Sequence, residues 1–386
     1  MLFEFATAGR IVFGPGRLRE VGPAAREFGR HAFLVTGRDP ARAQRLPGLL
    51  AAENISFTSF ALAGEPTTDA VTAAAAQARA AGCDFVIVFG GGSAIDAAKA
   101  VAALLTNPGD LLDYLEVVGR AQPLVRLAAP CVAIPTTAGT GAEVTRNAVL
   151  ASPAHCFKAS LRSPSLLPRL ALVDPELTLD LPPALTAASG LDALTQLIEP
   201  YVSCRANPFT DGLCAEGIRR AARSLRRACE DGHHLAARED LALASLWSGI
   251  ALANAGLGAV HGFAGPIGGM FPAPHGAVCA ALLPHVMAVN LRALRARHPD
   301  HVSLRKFDEL GPLLTGDAEA IADDGVDWLA ALVEGLPVPP LNSYGITPAH
   351  IAALVEKATA ASSMKGNPLP LTADELKTIL TTALQT

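Results

Sequence analysis

Phe85-Val86-Ile87-Val88-Phe89, followed by Gly90-Gly91-Gly92-Ser93 and the helical run that carries Asp96 and Lys99 to Val101, reads as a strand, a glycine-rich turn and a helix N-terminus. An unbroken run of β-branched and aromatic residues reads as a strand buried on both faces, the pattern of a parallel sheet. The glycines turn the chain into a helix N-terminus. Such a turn lets backbone N–H groups approach a diphosphate closely, and the positive end of the helix dipole favours its charge. A glycine-rich turn is equally the mark of an ordinary tight turn, so a second element is needed to give it a ligand.

On either side of it, short β-type runs at residues 32–36, 132–134 and 170–173 alternate with Ala-rich helical stretches such as 68–81. The alternation predicts parallel α/β units with helices on the sheet faces. Asp174-Pro175 and Leu181-Pro182-Pro183 then interrupt it and mark a boundary near residues 175–183. Beyond them the period changes: residues 184–202, 211–230 and 241–255 have helical spacing, no β-type run follows, and the Pro-rich residues 336–342 read as a loop. The expectation is an α/β dinucleotide-binding domain over residues 1–180 and an all-helical domain over residues 181–386.

Composition sets the class. A chain of 386 residues, half of them hydrophobic, exceeds what one core supports and predicts two domains with ample apolar surface to bury. With 31 Lys+Arg against 36 Asp+Glu there is no broad basic face, which argues against nucleic acid or an anionic membrane as partner and for a small molecule. The cysteines at 83, 131, 156, 204, 214, 229 and 279 form no CxxC pair and read as reduced thiols, mostly small core residues, of a cytoplasmic protein. Glu4, Gly9 and Arg10 interrupt the N-terminal stretch before a secretory h-region forms, and the longer apolar runs are broken short of a bilayer span.

The second element follows the strand at 132–134: Pro135-Thr136-Thr137-Ala138-Gly139-Thr140-Gly141-Ala142-Glu143-Val144-Thr145, dense in hydroxyls and glycines. Here a resemblance becomes specific. GGGSAIDAAKA and PTTAGTGAEVT resemble the two nucleotide-site signatures of the iron-containing (group III) alcohol dehydrogenases, and LVDPELTLDLPP resembles that family's domain junction. The similarity continues through SGLDALTQLIEPYVS, GLGAVHGFAGPIGGMFPAPHGAVCAALLPHVMAVN and NPLPLTADEL, so it covers nearly the whole chain. It implies a Rossmann-like domain, an all-helical domain of the dehydroquinate synthase-like fold, and a cleft holding NAD(P) and a divalent metal, Fe or Zn.

By the same resemblance, cofactor contacts are expected from Gly91, Gly92, Ser93, Asp96, Thr136, Thr137, Thr140 and Lys158. NAD-preferring relatives tend to carry an Asp after an early strand, where this chain has Gly37-Arg38, and a missing carboxylate beside an Arg leans toward the 2′-phosphate of NADP. Asp39, one residue on, is the competing ribose ligand. The family's metal ligands match Asp192, Gln196, His261 and His275. Gln196 departs from the family's histidine, and a neutral amide is expected to weaken the metal. Asp192, His261 and His275 alone still make a two-His, one-carboxylate set. Gly265 stands where many relatives have a proton-relaying His, so proton delivery falls to water, a ribose hydroxyl or another side chain; if no metal binds, His261 and His275 are the candidates to polarise the substrate oxygen or supply a proton. His285 reads as a core residue. The activity implied is hydride transfer between a nicotinamide and a small alcohol, aldehyde or ketone by a homo-oligomer. A maleylacetate reductase-like enzyme and a catalytically silent cofactor-binding protein are the alternatives.

Overall fold

The computed structural model describes residues 2–155 and 157–385, so Cys156 lies outside the described residues. The chain divides into an α/β unit of Thr7–Thr137 and Gly141–Thr178 and a helical unit of residues 179–385, which also takes in residues 2–6 and Ala138–Thr140.

In chain order the α/β unit contains β1 (Ile11–Phe13), α1 (Val21–Ala25), β2 (His31–Thr36), α2 (Leu46–Ala51), β3 (Ser56–Ala61), α3 (Thr68–Ala80), β4 (Phe85–Gly90), α4 (Gly92–Thr106), α5 (Leu111–Tyr114), β5 (Cys131–Pro135), β6 (Asn147–Ser152), β7 (Phe157–Arg162) and β8 (Leu170–Val173). A parallel sheet runs in the order β1-β8-β5-β4-β2-β3. Every residue of β4 and β5 is buried, which is why these strands carry unbroken apolar runs. From β2 the chain steps outward to β3 and then returns to β4 on the other side of β2, so the strand order reverses between β2 and β4. Register pairs Thr36 with Phe89 and Gly90 with Pro135, so β2, β4 and β5 end side by side. In open parallel sheets such a reversal is where ligands bind.

β6 and β7 form a separate antiparallel pair that the sequence does not announce. Its buried face is supplied by Ala148, Leu150, Ser152, Ala159 and Leu161, and Ser152 together with the interleaved Asn147, Lys158 and Ser160 dilutes the apolar signal. The loop that leads into the pair is tied to α4 by Lys99, which is fully buried. Its Nζ donates to Ala142 O at 3.0 Å and Thr145 Oγ1 at 2.9 Å and lies 3.0 Å from Asp96 Oδ1. Asp96 Oδ2 in turn accepts from Val149 N at 3.1 Å.

The helical unit runs through α6 (Pro183–Val202), α7 (Pro208–Glu230), α8 (Leu235–Ala255), α9 (Ala259–Met270), α10 (His275–Arg297), α11 (Val302–Thr315), α12 (Ala322–Glu334), α13 (Ile351–Ala360) and α14 (Ala373–Ala383), with no strand among its described residues. Every residue of 190–202 is buried, so α6 is the axis around which the others pack. α10 is long and apolar enough to cross a bilayer, but 83% of its most apolar window is buried by its neighbours, as in a core helix.

Residues 2–6, expected in the α/β domain, pack instead with the helical unit. Phe3 and Phe5 lie against Phe209 with ring centroids 5.6 and 5.3 Å apart. Asn254 brackets Ala6, accepting from its N–H at 2.7 Å and donating to its carbonyl at 2.8 Å. Residues 138–140 cross over for a similar reason. Gly139 O accepts from Ser248 Oγ at 3.2 Å, and a Cβ on Gly139 would stand 3.0 Å from Ser189 Cβ.

Candidate active site

The α/β unit gathers one group of residues at the strand ends. Gly91 is the N-cap of α4 in an extended conformation and offers no side chain to the N–H groups of that helix's first turn. Those donors are left for an anion, and the helix dipole adds to their pull. A Cβ on Gly91 would lie 3.1 Å from Thr137 Oγ1, so the turn and the hydroxyl-rich loop meet closely and a side chain there would push Thr137 aside. Gly37 follows β2 beside the same turn, its N 3.4 Å from where a Cβ on Gly90 would stand. Gly37, Gly91, Gly92, Ser93, Thr136 and Thr137 are therefore neighbours at the reversal point of the sheet. Arg38 is exposed, with its Nε donating to Ala63 O at 3.0 Å. Two of the expected cofactor residues have protein partners: Asp96 faces Lys99 and Val149 N, and Lys158 pairs with Glu65 at 2.6 Å. Burial pushes the carboxyl of Glu143, in the same loop, up to about 7. Thr140 belongs to the helical unit.

The helical unit holds the other group. Asp192 lies on α6, His261 on α9 and His275 at the start of α10. Their convergence depends on Gly276, because a Cβ there would stand 2.4 Å from Ala188 O; only glycine lets α10 approach α6 so closely. Asp192 Oδ1 is buried, makes no hydrogen bond, and sits 3.4 Å from His261 Nε2 and 3.6 Å from His275 Nε2. Cys279 Sγ completes the ring at 3.7 Å from each of those nitrogens. One donor atom from each of the four side chains falls within 4.8 Å of every other. An orphaned, buried carboxylate oxygen facing two imidazole nitrogens is costly as it stands and is what a divalent cation relieves. The residues thus fit the ion the resemblance implies.

The field of the cluster favours positive charge. Burial opposes the charge on Asp192, yet the two histidines hold its carboxyl below the usual range. Cys279 and Asp192 beside it overcome burial at His275 and raise its imidazole to about 9. His261 is likewise raised, against its burial, by Cys279 and Glu199. The Glu199 carboxylate accepts from His261 Nδ1 at 2.6 Å and from Val260 N at 2.7 Å. It caps the start of α9 and fixes the ring so that Nε2 faces Asp192 and Cys279, where a bound metal would take the place of the Nε2 proton. Gln196 is turned elsewhere at its nitrogen: Nε2 donates to Gly139 O and Ser248 Oγ, both at 3.4 Å. The side-chain space at Gly265 is open.

The model of iron-containing alcohol dehydrogenase matches residues 8–175, and that of the Fe-containing alcohol dehydrogenase C-terminal region matches residues 186–384. The chain belongs to the iron-containing alcohol dehydrogenase family. It is 37% identical to the probable alcohol dehydrogenase EutG of Escherichia coli K12, over 92% of this chain and 88% of that protein. Among solved structures, a 1,3-propanediol oxidoreductase superposes with a TM-score of 0.92 at 32% identity, over 99% of this chain and all of that one. A sulfoacetaldehyde reductase from Bifidobacterium kashiwanohense, solved with NAD+, superposes at 0.88 with 29% identity over the full length of both.

Within this family member, sequence reasoning passed over Cys279 and Glu199. Glu199 lies three residues beyond Gln196 and seven beyond Asp192, so helical spacing alone puts it on their face of α6. Glu199→Gln is expected to weaken divalent-metal affinity about tenfold, the usual cost of losing the carboxylate behind a ligating imidazole. Competitive chelator titration checks this. Unchanged affinity would leave Glu199 as a helix cap alone.

Proposed function

We propose that the chain catalyses reversible hydride transfer between a nicotinamide cofactor and a small alcohol, aldehyde or ketone. The observation that carries the reading is the unpartnered, buried Asp192 Oδ1 ringed by His261 and His275 in a chain of this family. A divalent ion there would be held by Asp192, His261 and His275 and would supply Lewis acidity toward an alcohol or carbonyl oxygen. His275, with its side chain 40% exposed, leaves that oxygen a way in, whereas Asp192 and His261 are closed off. Glu199 keeps His261 in the ligating tautomer, and the open space at Gly265 leaves proton transfer to water or to a hydroxyl of the ligand. The donor cluster favours catalysis over silent cofactor binding.

The cofactor diphosphate lies, in this reading, against Gly91, Gly92 and Ser93. Gly92→Asp is the test. A carboxylate in the first turn suits the helix dipole and should leave the fold intact, while it repels the diphosphate from the same donors. The cofactor KM should rise about tenfold or more with little change in melting temperature. An unchanged KM would remove the diphosphate from this turn.

The cofactor of choice is NADP(H). Arg38 is exposed beyond Gly37, and the rival Asp39 is engaged, its Oδ1 accepting from Ala41 N at 3.0 Å to cap the next turn. Arg38→Ala should lower kcat/KM with NADP(H) roughly tenfold, the scale of one charge-assisted hydrogen bond, and leave NAD(H) nearly unaffected. Equal loss with both cofactors, or better efficiency with NAD(H) in the parent chain, would reverse the assignment.

A further inference from the structure

We infer that Cys279 is a metal ligand of this chain, its sulfur supplying the fourth donor of an Asp192, His261, His275, Cys279 site. The inference rests on the reading that a divalent ion sits among these residues, and it changes which side chains hold that ion. His275 and Cys279 are four residues apart on α10 and so project from one face, as Asp192 and Gln196 do on α6. The donor that α6 lacks at Gln196 is thus available from α10.

Distances decide between a ligand and a bystander. Zinc–nitrogen and zinc–oxygen bonds of about 2.0–2.2 Å and zinc–sulfur bonds of about 2.3 Å give tetrahedral edges of about 3.3–3.5 Å between nitrogen and oxygen and about 3.6 Å between sulfur and nitrogen. The edges present are 3.4 and 3.6 Å for oxygen to nitrogen and 3.7 Å, twice, for sulfur to nitrogen. The same bonds at right angles require about 2.9–3.1 Å, which none of the pairs approaches. Cys279 is fully buried, and within hydrogen-bonding reach its sulfur meets the two ligand imidazoles. On binding, the thiol S–H bond gives its proton to solvent as the sulfur–metal bond forms, with no change of oxidation state. A thiolate also fits a borderline-soft ion such as Zn(II).

The test loads the chelator-stripped full chain with Co(II) and, separately, Zn(II). Sulfur-to-cobalt charge transfer should appear in the near ultraviolet at one equivalent of Co(II) and vanish in Cys279→Ser, the other cysteines being unchanged. Zn(II) affinity should fall about tenfold or more in Cys279→Ser and Cys279→Ala, with circular dichroism checking that both remain folded. Stoichiometric Co(II) uptake without the band, or Zn(II) affinity unaltered in both variants, would overturn the cysteine assignment while leaving a metal site. No uptake of either ion would overturn the metal reading itself, and this inference with it.

Discussion

Asp192→Asn should lower divalent-metal affinity a hundredfold or more and take alcohol-dependent nicotinamide reduction down with it. The amide keeps the volume of the carboxylate, so the packing of α6 is preserved. What is lost is the formal charge and the unpartnered Oδ1 lone pairs that face His261 and His275. Changing groups that merely support a ligand costs about 10–100-fold, and removing the one anionic oxygen of the set should cost at least the upper end of that range. Isothermal titration with Zn(II) on matched, chelator-stripped proteins gives the affinity, and steady-state kinetics give the rate. If Asp192→Asn binds metal within a factor of about three of the parent, the ion is not held by this carboxylate.

Lys99→Met should destabilise the α/β unit by about 3–5 kcal/mol, the cost of leaving a buried charge without its partner. Lys99 is fully buried, and its ammonium serves Asp96, Ala142 O and Thr145 Oγ1 together. Methionine fills most of the stem's volume but leaves these oxygens without a donor. Burial already pushes the Asp96 carboxyl upward against the pull of Lys99, and without the ammonium that opposition disappears. A fall of roughly 10 °C in the melting of this unit is expected. The double variant Lys99→Met with Asp96→Leu should recover part of the loss, because it removes the stranded carboxylate as well. A single variant within about 1 kcal/mol of the parent would show that water replaces the ammonium there.

The sheet and the glycine turn after β4 are legible in the sequence because their signals are local. An apolar run, glycines and an Ala-rich helix follow one another within about twenty residues, and each constrains the next. The β6–β7 pair is not legible, because Ala148 and Ala159 bury as fully as Leu150 and Leu161 but do not read as strand formers. The assignment of residues 2–6 to the helical unit hangs on Asn254 and Phe209, more than two hundred positions away, which no local pattern reveals.

The donor cluster divides in the same way. Asp192, His261 and His275 were accessible through resemblance. Cys279 hid among scattered cysteines, since a thiol in an apolar helix ordinarily reads as a small core residue. The available signal was its spacing from His275 on one helix face. Gln196 drew attention as a departure in sequence, but only the packing of α10 against α6 through Gly276 brings a sulfur near the same carboxylate.

Hydride transfer by this chain is tested by mixing it, stripped and then reloaded with Zn(II) or Fe(II), with NADP+ or NAD+ and a panel of small primary alcohols while following reduced nicotinamide in the near ultraviolet. The metal-loaded chain should form reduced nicotinamide in proportion to the alcohol oxidised, and the stripped chain should form none until metal is returned. A folded, metal-loaded chain that produces no reduced nicotinamide from any alcohol, and consumes none with the matching aldehydes, would contradict it.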